Sequence, residues 1–152
     1  MNPYQTILVA IDFSEHSEQA LIRAKQVAET YQASLEVLHV TELPTYPVLE
    51  DMAVTGMPGI WDDEMADKLY AAAVKRLHDM ALTVGLTTEQ CHVVIGSPKS
   101  EILARAHDSN TDLIVVGRRG LSGIQRLIGS TADAILHDAA CDVLAVNLQD
   151  VE

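Results

Sequence analysis

Near the start of the chain, Thr6-Ile7-Leu8-Val9-Ala10-Ile11 forms an almost unbroken apolar run. A run this short, without polar alternation, predicts a strand buried on both faces. It stops at Asp12-Phe13-Ser14, and the apolar period then changes. Ala20, Leu21, Ala24, Val27, Ala28 and Tyr31 recur at helical spacing, with Ser14 placed to cap the helix. Ser34 to Val40 (SLEVLHV) reads as a second strand. Asp62 to Val84 reads as a long helix with Met65, Leu69, Ala72, Ala73, Leu77, Met80, Ala81 and Val84 on its inner side, closed by Gly85. Cys91 to Ile95 is a third strand. Ser97-Pro98 supplies a cap and a proline at the first helical position of a helix lined by Ile102, Leu103 and Ala106. Asp112 to Val116 is a fourth buried strand, Ser130-Thr131-Ala132-Asp133 carries the signature that opens a last helix, and Asp142 to Leu148 is a fifth strand.

Five strands alternating with four helices imply an α/β fold: a single-domain open parallel sheet with helices on both faces. The 152 residues suit one domain, which can bury its own core. The one long connection, about residues 41–61, carries Pro44, Pro47, Gly56, Pro58 and Gly59 and belongs to an acidic stretch without Lys or Arg. It is either a solvated loop or a lid or partner contact.

Charge narrows the function classes. Ten Lys+Arg against 22 Asp+Glu leave a net charge of −12. This argues against nucleic acid, which needs a basic face, and against an anionic membrane surface. No apolar run approaches the roughly 20 residues of a membrane span, and no basic region precedes the first apolar run, so no signal peptide is expected. Cys91 and Cys141 are isolated, which excludes a disulfide framework and CxxC motifs and leaves a cytoplasmic compartment as the expectation. The six histidines show no metal-ligand spacing, and no GxSxG elbow or defensible Ser/His/Asp order is present, so no catalytic residue is assigned.

The candidate chemistry lies after the fourth strand, in Gly117-Arg118-Arg119-Gly120-Leu121-Ser122-Gly123 and, with eight residues between it and Gly120, Gly129-Ser130-Thr131. Glycines let a backbone turn sharply and bring N–H groups close to a ligand. The following helix start offers unpaired N–H groups and a positive dipole end, and Ser130 and Thr131 add hydroxyls. From Leu113 to Ala132 there is no acidic residue, while Arg118, Arg119 and Arg126 make a positive island in an acidic chain. Phosphate matches that chemistry; a loop that only turns the chain is the alternative. No Walker A string occurs, and the first strand is not followed by the glycines of a dinucleotide fingerprint.

Taken together, ILVAIDFSEHSEQAL, LHV at the end of the second strand, DLIVVGRRGLSG and GSTADAILHDAACDVLAV resemble the universal stress protein family over nearly the whole chain. The resemblance implies strand order 3-2-1-4-5, a Rossmann-like fold, and for many members ATP bound by a motif written G-x2-G-x9-G-[ST]; members without the motif do not bind ATP. Here the gap before Gly129 is eight residues. With that strand order, Asp12 and Gly117 arrive together where the winding reverses, the place where open α/β sheets bind ligands.

The resemblance further places Ala10 and Ile11 at the nucleoside, Asp12 near the ribose and phosphates through Mg2+ or Mn2+, and Val40 at the adenine. Gly117, Gly120, Gly129, Ser130 and Thr131 would hold the phosphates, with Arg118 and Arg119 beside them. For Asp12 the alternative is a helix N-terminal charge, and for Val40 ordinary core. ATP is the implied ligand, with ADP or AMP possible. Val143-Leu144-Ala145-Val146 would form an apolar sheet edge, which needs cover, and the resemblance implies a homodimer through it. The expected function is a nucleotide-dependent stress-response sensor or adaptor. The alternatives are a dimeric module of the same fold without nucleotide, or a slow ATPase or autophosphorylating protein.

Overall fold

A computed structural model describes residues 2–14, 17–42, 63–119 and 130–148. The strands are β1 (Thr6–Ile11), β2 (Ser34–Thr41), β3 (Cys91–Ile95), β4 (Leu113–Arg119) and β5 (Asp142–Leu148). Among the described residues the α-helices are α1 (Ser17–Tyr31), α2 (Asp63–Thr83), α3 (Pro98–Asp108) and α4 (Ser130–Asp138). The strands form one parallel sheet in the order β3-β2-β1-β4-β5.

Side chains of a strand point alternately to its two faces, and here the alternation feeds two cores. Ile7, Val9 and Ile11 of β1, Leu35 and Val37 of β2, and Leu113 and Val115 of β4 pack with Ala20, Leu21, Ala24 and Ala28 of α1 and with Leu77 and Ala81 of α2. Leu8, Leu38, Val40, Ile114 and Val116 face the other way, onto Ile102 and Ala106 of α3 and Ala132 and Ile135 of α4. Ile7, Leu8, Val9, Ile114 and Val115 are wholly buried. This is why the sequence shows continuous apolar runs rather than alternation at β1 and β4. Each such side chain contributes about 1.5–3 kcal/mol by leaving water.

Helix α1 is described from Ser17, and whether Ser14 caps it lies outside the described residues. The structure differs from the sequence expectation in three main respects. Helix α2 buries Ala73, Leu77 and Ala81, whereas Met65 and Ala72 are exposed. Ser130 is the first residue of α4, not its cap. Strand β4 runs three residues past Val116, so Gly117 and Arg118 are strand residues paired with Val146 and Asn147 of β5.

The expected stops hold at the end of α2 and the start of α3. Gly85 has φ +83, its N–H donates to Leu82 O (3.1 Å), and Leu86 N–H donates to Ala81 O (2.9 Å). That paired pattern ends a helix through a left-handed residue. Ser97 caps α3 in extended conformation with Pro98 at the first position, although its hydroxyl makes no capping bond.

Candidate functional site

The chain winds outward from β1 through β2 to β3, then crosses back to β4 on the other side of β1. At that reversal, beyond the carboxyl ends of the strands, lies a cleft of about 580 Å³. Ala10, Ile11 and Asp12 from the end of β1, Leu38 to Thr41 from β2, and Val116 and Gly117 from β4 form its floor. Ser17 at the start of α1, Pro98 at the start of α3, and Thr131 and Ala132 at the start of α4 bring three helix N-termini to its rim. Parallel βα units impose this arrangement, because each helix begins where its strand has just ended. The rim therefore gathers unpaired N–H groups and positive dipole ends.

Of the residues singled out from sequence, the cleft brings together Ala10, Ile11, Asp12, Val40, Gly117 and Thr131. Arg118 is half-buried in β4 and does not line it. Arg119 pairs with Leu148 in the ladder, and Ser130 opens α4; the side chains of both lie outside the described residues. Gly120 and Gly129 also lie outside them. The positive island expected from sequence is not what the described walls present: their charged side chains are Asp12 and Glu42, both acidic.

Asp12 is oriented by its own turn. Its Oδ1 accepts from Ser14 N–H (3.0 Å) and from the Ser17 hydroxyl (3.2 Å), and Ser17 also donates to Ser14 O (2.9 Å). The next residue, Phe13, has φ +59, a conformation uncommon for a bulky side chain. The Phe13 ring stacks on His39 at 4.0 Å between centroids, and the Arg76 guanidinium lies 4.6 Å from the ring centre on α2. His39 Nδ1 is 2.7 Å from Ile11 O and so carries the proton. Burial, first of all, holds the His39 pKa below its ordinary value. Arg76 adds to that, while the Ile11 bond and the Asp12 charge oppose it.

Two carboxylates and three helix N-termini around one cleft suit a ligand with both polar hydroxyls and anionic groups. The described residues contain no group of three or more His, Cys, Asp or Glu able to cage a metal. A divalent cation there would take Asp12 and complete its shell from the ligand, the usual habit of Mg2+ with phosphates. The sequence reading missed His39, Ser17, Thr41, Glu42, Phe13 and Arg76. Only proximity to the end of β1 or β2 could have flagged the first four, and nothing in the sequence pattern points to Arg76.

The model of the universal stress protein family matches residues 3–147. The chain belongs to the universal stress protein family. It is 35% identical over 147 residues to universal stress protein A homolog 1 of Coxiella burnetii, covering 97% of this chain and 99% of that one. Among solved structures it is similar to universal stress protein UspA from Lactobacillus plantarum, with 26% identity and a TM-score of 0.69 over 96% of this chain and 98% of the other. It is also similar to a universal stress protein crystallised in complex with cAMP, with 28% identity and a TM-score of 0.65 over 97% of this chain and 99% of that one. The order β3-β2-β1-β4-β5 is therefore both observed here and accompanied by universal stress protein neighbours. No described helix is long and apolar enough to cross a membrane.

Proposed function

We propose that this universal stress protein binds an adenine nucleotide in the cleft at the winding reversal and acts as a nucleotide-dependent stress-response sensor or adaptor in the cytoplasm. The observation that carries the reading is the convergence, in one cleft, of Ala10, Asp12, Val40, Gly117 and Thr131 with three helix N-termini. The similar universal stress protein that holds cAMP supports an adenine nucleotide as the ligand class. In this reading Leu38, Val40 and Ile102 offer the base an apolar bed, and Ala10, having a small side chain, leaves room for it. Asp12 meets ribose hydroxyls or, through Mg2+ or Mn2+, the phosphates; the cation would offset the repulsion between a carboxylate and an anion. The start of α4, with Ser130 and Thr131, receives phosphate together with Gly117, Gly120 and Gly129, and Arg118 and Arg119 add positive charge nearby.

The same reading makes the protein a homodimer. β5 is an outer strand of the sheet, and Val143, Leu144 and Ala145 are only half-buried on it. An outer strand with apolar side chains is stabilised by pairing with another.

The test is calorimetry with ATP and Mg2+, together with identification of any nucleotide released when the purified protein is denatured. Gly117→Val places a branched residue that a strand accepts well, but it fills the cleft floor. Gly129→Val adds the same bulk at the residue before Ser130 in the sequence. Both variants are expected to lose ATP binding by at least about tenfold, ~1.4 kcal/mol, and to remain dimeric by light scattering. Wild-type affinity in both variants refutes the phosphate assignment, and a monomeric wild type at micromolar concentration refutes the dimer.

A further inference from the structure

The turn that carries Asp12 is gripped from two elements distant in sequence, and that grip has a role beyond packing. Phe13 sits at φ +59, so it directs the chain sharply between the end of β1 and the start of α1. On one side its ring lies against His39 of β2, at 4.0 Å and 27° between planes, and His39 is itself anchored by Nδ1 to Ile11 O at 2.7 Å. On the other side Arg76 of α2 places its guanidinium 4.6 Å from the ring centre and donates from Nη2 to Phe13 O at 3.2 Å. Residues 11, 12 and 13 are thus each tied: Ile11 to β2, Phe13 to both β2 and α2, and Asp12 to Ser14 and Ser17 within the turn.

We infer that Arg76 and His39 are positioning residues that clamp Phe13 and thereby hold the Asp12 carboxylate in the cleft in the geometry its ligand requires. This rests on the nucleotide reading above and deepens it. It adds a helix, α2, to a site whose lining comes from the other helices and the strands. The physical logic is that a bulky residue in the left-handed region persists only where its surroundings over-determine it. A stacked ring, a cation over the ring face and a bond to the carbonyl supply that here. Removing the Arg76 contacts lets the turn relax and moves Asp12 relative to Gly117 and Thr131 without touching the cleft walls. Arg76 is at the surface of α2, so Arg76→Ala is expected to fold.

Two measurements test the clamp. The first needs no ligand: Asp12 Oδ1 accepts from Ser14 N–H and from the Ser17 hydroxyl, so the NMR shift of the Asp12 carboxyl carbon reports whether that carboxylate keeps its place. Arg76→Ala is expected to move this resonance while Asp112-bonded amides at Gln5 and Thr6 stay in place. The second is calorimetry with ATP and Mg2+. Arg76→Ala and Phe13→Ala are each expected to weaken binding about tenfold, Phe13→Tyr, which keeps the ring, to bind like wild type, and Asp12→Asn to weaken it by a similar factor. In the Asp12→Asn background Arg76→Ala is expected to add no further loss, because the clamp acts through Asp12. Losses that simply multiply, or an unmoved Asp12 carboxyl resonance, overturn the inference. If wild-type protein fails to bind ATP while the Asp12 carboxyl resonance moves as expected, the nucleotide reading falls and the clamp on Asp12 stands.

Discussion

The two ends of the sheet use aspartate in opposite ways. At the amino end, Asp112 Oδ2 accepts from Gln5 N–H (2.7 Å) and Thr6 N–H (2.9 Å), and Asp142 accepts from the Tyr4 hydroxyl (2.8 Å). Both carboxylates tie strand starts to the chain segment before β1, and their chemistry is internal. At the carboxyl end, Asp12 is held by its own turn but lines the cleft, beside the start of α1 and in one cleft with the starts of α3 and α4. Asp112 closes backbone donors that the fold itself leaves open; Asp12 lines a cleft that three helix N-termini also reach. The difference comes from strand polarity. In a parallel sheet every helix starts at the carboxyl end, so unpaired N–H groups accumulate there and not at the other end.

The largest effect belongs to the core that both ends share. Leu8 is wholly buried in β1, the central strand. Leu8→Ala is expected to lower stability by about 2–5 kcal/mol in urea unfolding, weakening both ends together. Next comes Asp112→Ala, which strands two backbone donors at the amino end and is expected to cost about 1–3 kcal/mol of stability. Calorimetry should find its ATP affinity unchanged; a loss of binding there would erase the distinction between the ends. Asp12→Asn sharpens the contrast from the other side. The Asn carbonyl oxygen still accepts from Ser14 and Ser17, so stability should fall by no more than about 1 kcal/mol, the worth of a negative charge at a helix N-terminus, while ATP binding loses its dependence on Mg2+.

The smallest effect is on pH dependence. Burial, chiefly, keeps the folded His39 below its ordinary pKa of 6.5, and burial followed by Arg105 does the same to His92. The unfolded chain then binds protons that the folded chain does not, so stability falls as pH drops from about 6.5 toward the lowered folded values and levels off below them. Above the unfolded value this loss is absent. Chemical unfolding between pH 7 and pH 5 should show a shallower decline in His39→Gln than in wild type; an identical slope would mean that His39 takes no part.

Much of the scaffold was legible in the residues. The continuous runs at β1 and β4, the left-handed stop at Gly85 and the Ser97-Pro98 start are local signals, set by side-chain period and backbone conformation within a few residues. Part of the cleft lining was legible for the same reason: Asp12 follows β1, Val40 lies near the end of β2, and Gly117 follows an apolar run. The limits are equally physical. The spacing on α2 marks an inward side but not its width, so Ala72 is exposed beside the buried Ala73. β4 continues through Gly117 and Arg118 because β5 supplies hydrogen-bonding partners that no local pattern reveals.

The order of apolar and polar residues by itself determined the alternation of strands and helices, because side-chain burial repeats with the period of each element. Tertiary structure alone decided that Arg76 of α2 and His39 of β2 meet across the ring of Phe13, and that the described cleft wall is acidic. Those meetings depend on how separate elements cross in space, and a left-handed residue such as Phe13 is held by neighbours far along the chain rather than by its own preference.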